Sequence, residues 1–417
     1  MTQYTPEWKL TVNGVDLTGA SISQISHRSG RNDIYSQPTA SSFSITLVAL
    51  QNNSYSININ DGVSLQVKDS TGTYVSLFGG NITDVAVSVE RSGSIGTVFT
   101  YRIIAMGKLA TLAKTISEGV LTSEFDGDQI FALLSEFLLG DWLGVSAAQT
   151  WATYDATTTW ADAEDLGLGE IDQPGQYEMV NRASSEDTIY NIASQIANSA
   201  LGYLFEDNNG NIGYADRDHR TLYLATNGAI EISANAAIGT GLTTTTRASD
   251  IRNDIAINYG NNFNDLEIAS DPASISVYGY KSESINSSIK KAVDAEEIAN
   301  RYLNLRANPY PVFDSITFPI TNPELDDIDR DHLLNIFMGQ PLTITDLPPQ
   351  IASEGRFQGY VEGWSWSTSF NQLFITINLS PIEFSAIFQQ WNEVNASEAW
   401  NTLSGTITWR TAIGVIS

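Results

Sequence analysis

The chain has 417 residues, 42% of them hydrophobic, enough for roughly two to four packed domains and too much for a disordered polymer. Its 21 Lys and Arg face 48 Asp and Glu, a formal charge of −27 that argues against reading nucleic-acid sequence or holding anionic lipid, while an acidic wall suits DNA that passes without sticking. There is no cysteine, which removes disulfides, thiolate metal sites and cysteine nucleophiles.

The opening, MTQYTPEWKLTV, lacks a basic segment followed by an apolar one, and no apolar run approaches about 18 residues. A soluble, unprocessed chain made inside the cell, with no membrane-spanning segment, is therefore expected. Strands come first. Residues 9–12 and 15–17 flank Asn13-Gly14, a preferred hairpin pair. Phe43, Ile45 and Leu47 alternate with small polar residues, as do Val63, Leu65 and Val67, then Val85, Val87 and Val89, and residues 97–104 close the set. From about residue 109 the period lengthens. Helices are predicted over 128–138, over a stretch opened by Ser184-Ser185-Glu186-Asp187 with Ile189, Ile192, Ala193 and Ile196 on one face, and over 294–305 before Pro309 and Pro311. Asn209-Gly210 predicts a hairpin bringing Phe205 near Tyr214. Further strands are predicted at 255–259, 275–280, 316–320, 342–345 and 373–379.

A phrase recurs. FGGNITDVAV (78–87) and FQGYVEGWSW (357–366) share one template, preceded by GVSLQVKD (62–69) and GQPLTITD (339–346), and further back by Ser44-Ile45-Thr46-Leu47 and Ser315-Ile316-Thr317-Phe318. The offsets, 271, 277 and 279, keep their order and drift slowly, as when strands persist while loops change length. Two related β domains with a mixed α/β module between them are expected. Three such chains around an axis would present six similar barrels; a duplication with no symmetry role is the alternative.

Few residues suggest chemistry. Asp207, Asn209 and Asn211 sit at EF-hand-like spacing, but Ile212 stands where the loop needs glycine, and a hairpin turn explains the run. ELDDIDRDH (324–332) clusters oxygens that could hold Ca²⁺ or Mg²⁺, and reads as a solvated loop. His219 in DRDHR reads as another charged loop, and no nucleophile elbow or phosphate loop is present, so no catalytic, cofactor or metal residue is assigned. Glu362 beside Trp364 and Trp366 could suggest a sugar cleft, although strand-borne Trp is usually core. Trp151 and Trp160, and Trp391, Trp400 and Trp409, recur every nine residues, which fits neither one strand face nor one helix face. These five are read as anchors on a partner interface, the last three on a C-terminal strap.

Spread over the chain, SISQISHRSGRNDIYSQPTASSFSITL (21–47), LFGGNITDV (77–85), SSEDTIYNIASQIANSALGYLFEDNNGNIGY (184–214), SVYGYKSESI (276–285), FQGYVEG and LSPIEF resemble, in order, the elements of a tail-tip hub or minor tail protein of long-tailed bacteriophages, similar to the baseplate hub of contractile tails. The resemblance implies an α+β, β-rich multidomain chain. Its expected layout is a first tube-like β-barrel at 1–108, an α/β insert at 109–215 to which 261–305 returns, a second barrel from 216–260 with 306–384, and a Trp-marked extension at 385–417. It further implies a homotrimeric ring at the virion tail tip that adapts the six-fold tube to the three-fold tip and lines or closes the DNA channel. The implied partners are the hexameric distal tail protein, the tape-measure protein, a tail fibre or other tip proteins, and genomic DNA in passage; no cofactor and no enzymatic activity are expected. A carbohydrate-binding adhesion module and a β-rich glycoside hydrolase are the alternatives.

Overall fold

The structure is a computed structural model that describes residues 4–138 and 171–382 apart from short gaps at 18–19, 33, 35, 51–52, 93–95, 238–243, 310–311, 314, 353–354 and 370–371. Seven strands open it: β1 (Trp8–Val12), β2 (Val15–Asp16), β3 (Ala20–Gly30), β4 (Ser42–Ala49), β5 (Gly62–Lys68), β6 (Tyr74–Ser92) and β7 (Gly96–Met106). Then follow α1 (Leu109–Leu112), β8 (Ile116–Ser117), α2 (Asp126–Leu138), β9 (Asp187–Thr188), α3 (Ile189–Ser199), β10 (Tyr203–Glu206), β11 (Ile212–Ala215) and α4 (His219–Asn227). After β12 (Ile230–Ser233) and β13 (Thr244–Thr245) come β14 (Asp254–Tyr259), β15 (Asp265–Ser270), α5 (Pro272–Tyr278), β16 (Ser282–Asn286) and α6 (Ala292–Arg306). The last described elements are β17 (Val312–Phe313), β18 (Ile316–Pro319), α7 (Asp327–Leu334), β19 (Pro341–Thr345), β20 (Phe357–Ser369) and β21 (Gln372–Pro381). The chain is thus α+β and β-rich, as expected.

The repeated phrases occupy equivalent places. β4 pairs with β7 as β18 pairs with β21, β5 with β6 as β19 with β20, and β6 with β7 as β20 with β21, all antiparallel. Leu65 faces Phe78 whereas Leu342 faces Gly359, a slip of two residues that keeps every side chain on its original face. Both phrases also carry a β-bulge five residues after their Phe. Thr83 is the extra residue between the Ile82–Ala105 and Asp84–Ile104 pairs, and Glu362 between Val361–Leu379 and Gly363–Asn378.

The two β units are not separate bodies. β20 pairs with β19 over Phe357–Tyr360 and with β3 over Gly363–Ser367, so one continuous 12-stranded sheet runs through both. Beneath it lies one core, in which Phe43, Leu65, Phe78 and Ile103 of the first unit join Phe318, Ile344, Trp364 and Ile377 of the second. Alternation of apolar and polar residues along β4, β5 and β21 produces this one-sided burial.

A second core belongs to the helices. α3 buries Ile189, Ile192, Ala193 and Ile196, with Thr188 as its N-cap accepting the Asn191 N–H. These side chains join Ile130, Leu133 and Leu134 of α2, Ala295, Ile298 and Ala299 of α6, and Ile255 and Ile257 of β14. β14 forms a three-stranded sheet with antiparallel β15 and parallel β16. Residues 254–259, assigned from sequence to the second β unit, therefore lie in this module instead, because their alternate Ile residues find α6 rather than the large sheet. Three further stretches differ from expectation. Residues 275–278, read as strand, complete α5, where Pro272 starts the helix and Asp271 caps it by accepting the Ala273 and Ser274 N–H groups. ELDDIDRDH, read as a loop, holds α7, with Asp326 accepting the Asp329 N–H and Asp327 and Asp329 at the positive end of the helix dipole. DRDHR leads into α4, and its His219 and Arg220 are buried.

Candidate functional site

The junction of the two β units is built around Glu362. The bulge directs this carboxylate into the protein where β20 changes partner from β19 to β3. It is buried, with Arg31 Nε 2.5 Å from Oε2, Arg220 Nη1 2.9 Å from Oε1, and the Ser380 hydroxyl donating to Oε1 at 2.5 Å. The Arg31 N–H donates to the Glu362 carbonyl at 2.8 Å. Gly30 makes this approach possible: at φ +80° a Cβ there would lie 2.4 Å from that carbonyl oxygen. Tyr203 of β10 sits between the two cations, 5.1 Å from Arg31 and 4.5 Å from Arg220. Burial alone would raise the Glu362 pKa, but the Arg31 and Arg220 charges, with the donated hydrogen bonds, hold it below the ordinary carboxylate value. One residue thus ties together β20, the end of β3, α4 and β21.

The β10–β11 hairpin is the wedge between the units and the helical module. Its turn is closed by Asp207, which accepts the Asn209 and Asn211 N–H groups at 2.9 and 2.7 Å, so the EF-hand-like run is a hairpin turn, as read. The tip lies on the repeated phrase of the first unit. A Cβ on Gly79 would fall 2.1 Å from the Asn209 carbonyl oxygen, Ser76 donates to the Asn208 carbonyl at 2.9 Å, and Asn208 Nδ2 donates to the Ile336 carbonyl at 3.0 Å. Next to the turn, at the end of β10, the buried Glu206 carboxylate accepts the Ser41 N–H at 2.7 Å and the Leu109 N–H at 2.5 Å, joining the start of β4 to α1. Desolvation raises the pKa of Glu206 and pushes that of Asp207 up to about 7.

A third polar group lies inside the helical module. Asp126 accepts from the Gln176 and Tyr177 N–H groups at 2.8 Å and from the Tyr214 hydroxyl at 2.6 Å. Asp172 accepts the Asp216 N–H at 2.9 Å and lies 2.7 Å from His219 Nδ1. Burial, only partly offset by the Tyr214 and Gln176 hydrogen bonds, pushes Asp126 up to about 7; burial and then the Asp172 charge do the same for Asp216. Apart from Asp207, whose donors lie in its own turn, these carboxylates accept from backbone amides or from side chains of other elements, an arrangement that fixes parts of the chain relative to one another. Among the described residues no group of His, Asp and Glu side chains is placed to hold a metal ion.

Trp151, Trp160, Trp391, Trp400 and Trp409 lie outside the described residues. The sugar-cleft reading fails on burial: Glu362, Trp364 and Trp366 all lie inside the protein. Sequence reasoning missed Arg31, Arg220 and Tyr203; the available signal was Glu362 as the one charged residue of β20, set between apolar Val361 and Trp364. One apolar surface stands out. Beyond its pairing with β5, β6 continues beside β7 as a long hairpin whose Val87 and Val89 are 51% and 56% exposed.

No helix among the described residues is long and apolar enough to cross a membrane. The fold is that of bacteriophage tail proteins. It superposes on the 43 kDa tail protein of prophage MuSo2 from Shewanella oneidensis with a TM-score of 0.57, covering 92% of this chain and 99% of that one at 10% identity. A tail protein from Neisseria meningitidis matches with a TM-score of 0.59 over 92% of this chain and 98% of its own, again at 10% identity. Prophage tail protein gp18 from Listeria monocytogenes gives 0.50 over 90% and 95%, also at 10% identity. No protein-family model and no curated protein sequence matches the chain.

Proposed function

We propose that this chain is a structural hub at the tail tip: a homotrimer whose two β units per chain form a ring of six similar faces beneath a six-fold tail tube. The first β unit comprises residues 1–108, and the second 216–253 with 306–384. The observation that carries the reading is the repeat, now seen as equal pairing with a bulge at the same place. The join between units supports it further. Within the chain, β3 docks on β20 beyond β19; on the first unit, the corresponding edge of β6 beyond β5, at Asp84–Ser88, pairs with no strand among the described residues. In a closed ring that edge receives the second unit of the next copy, repeating between chains the join already made within one. The acidic charge of −27 suits a wall along which DNA slides. The distal tail ring, tape-measure protein and fibre or tip proteins are the neighbours such a ring would meet, with the five Trp outside the described residues as anchors.

Averaged images of the intact particle, with mass measurement of the isolated complex, test this. Three copies on the tail axis with β6 of each against the second unit of the next are expected. A different copy number, or β6 facing solvent in the assembled particle, overturns the proposal.

A further inference from the structure

The ladder of the first β unit runs β3-β4-β7-β6-β5-β1, and among the described residues no strand pair joins its two ends, β1 and β3. A groove of about 880 Å³ occupies the gap. Buried Leu10 and Leu47 line it from the core, and Trp8, Ala20 and Ile22 stand half-buried around it, packed on the same core. Strand alternation aims backbone groups into the groove from both sides. On β1 the residues that bond across to β5 have odd numbers: Glu7 accepts the Lys68 N–H at 3.0 Å, and Asn13 donates its N–H to the Gly62 carbonyl at 2.8 Å. Trp8 and Leu10 therefore turn their backbone groups away from β5, and of these the Leu10 carbonyl accepts the Leu17 N–H at 2.9 Å. On the other side, the Ser41 carbonyl accepts the Gly107 N–H at 2.8 Å, so odd residues of β4 bond to β7 and even ones to β3. Ile22 lies opposite Leu47, an odd position, and its N–H and carbonyl also turn outward. β20 covers β3 only over Ser26–Gly30, so among the described residues no strand lies on this stretch. Two unpaired strand edges thus border one apolar groove.

We propose that this groove receives a strand from a second copy of the chain, supplied by residues 406–415, TITWRTAIGV. In that segment Ile407, Trp409, Ile413 and Val415 share one parity, and Thr and Ile dominate it, the pattern of a half-buried strand. Its charge fits as well. In a chain with 48 acidic residues, residues 399–417 carry one charge, Arg410, and the one charged residue among those described around the groove is Asp16. Length points to the copy that supplies it. Gln372 lines the groove at one end of β21 and Pro381 stands at the other, ten residues or about 30 Å away. Residues 383–405, which separate the described fold from the segment, number 405 − 382 = 23 and reach up to about 80 Å. That is more than twice what a return to the chain's own groove requires, and it suits a crossing to a neighbour. The inference rests on the ring reading only for the presence of a second copy; neither three-fold symmetry nor a channel enters it.

The chain has no cysteine, so introduced thiols report the contact directly. One batch of full chain carries Ser23→Cys at the groove and a second carries Thr408→Cys in the segment; the two are mixed, treated with a short bismaleimide and digested. Mass spectrometry of the linked peptides is the readout, since a link from position 23 to position 408 can then form only between copies. That link is expected, falling about tenfold or more with Ile22→Lys in the groove or Trp409→Ala in the segment. The alanine variant leaves the groove untouched and keeps the test alive should the lysine variant fail to fold. A link that forms only within single chains carrying both cysteines overturns the second copy as occupant. Absence of the link in either arrangement, or a yield unmoved by both variants, overturns the groove as the site. Mass measurement of the same sample separates this inference from the ring: the link in an assembly of other than three copies overturns the ring alone, and three copies without the link overturn the inference alone.

Discussion

Replacing Glu362 with alanine removes the carboxylate that Arg31 and Arg220 both reach, at 2.5 and 2.9 Å, and leaves two cations inside the protein. Breaking a buried pair by deleting one partner costs about 3–5 kcal/mol. The Ser380 hydroxyl loses its acceptor, adding about 1 kcal/mol, while the faces of Tyr203 and Tyr360 beside the guanidiniums return roughly as much. The expected loss is therefore about 4 kcal/mol, against the roughly 5–15 kcal/mol that holds a domain together. Glutamine keeps the shape and one acceptor, and should lose about half as much. Urea unfolding followed by tryptophan fluorescence is the assay, since Trp364 and Trp366 lie on the same strand and are buried. Combining Glu362→Ala with Arg31→Met should cost at least about 2 kcal/mol less than the sum of the single changes. Because the folded pKa of Glu362 is depressed, its stabilisation is present above its unfolded value of 4.5 and is lost as pH falls below that. An alanine variant within about 1 kcal/mol of the wild type, or strictly additive changes, would refute the reasoning.

Four other outcomes are expected. Gly79→Ala drives a Cβ to 2.1 Å from the Asn209 carbonyl oxygen and should cost about 2–3 kcal/mol in thermal unfolding, whereas Gly72→Ala, at φ +87° with no atom within 4 Å, should cost about 1 kcal/mol. Asp126, raised from 3.8 to about 7 in the folded state, favours folding with its proton on, so its contribution falls as pH rises between those values; Asp126→Asn should flatten that decline by a kcal/mol or more, read as the difference in Tm between pH 5 and pH 7.5. His27, lowered to about 3 by burial, acts oppositely: its stabilisation is present above 6.5 and is lost as pH falls, so His27→Gln should lessen acid sensitivity below pH 6. Val87→Lys with Val89→Lys should leave monomer unfolding within about 0.5 kcal/mol and abolish the proposed ring assembly, measured by light scattering with a distal tail protein, its proposed neighbour, present.

Much of this fold was legible because strand burial writes itself as alternation, and the repeat was legible because it is made of such strands. The helical face of α3 and the Asn209-Gly210 turn were equally local signals. What stayed hidden was non-local. Glu362 takes its meaning from Arg31 and Arg220, 331 and 142 residues away, and nothing in FQGYVEGWSW states that its sixth position is a bulge. Short helices were lost for a different reason. In α5 and α7 the Asp-Pro and Asp-Asp openings are N-caps, but so few turns follow that the polar run looked like loop and the apolar run like strand. The boundary near residue 254 failed because alternate Ile residues say that a strand is half buried, not against which core.

Because β20 leaves β19 and takes up β3 without a break in the sheet, the two halves of the chain have no hinge between them. A push arriving at one edge must travel across a ladder of backbone hydrogen bonds loaded side by side, and Glu362 clamps the point where that ladder changes rails. In the proposed ring, any motion would then belong to whole chains tilting as blocks, with the angle between halves set at folding and carried unchanged thereafter.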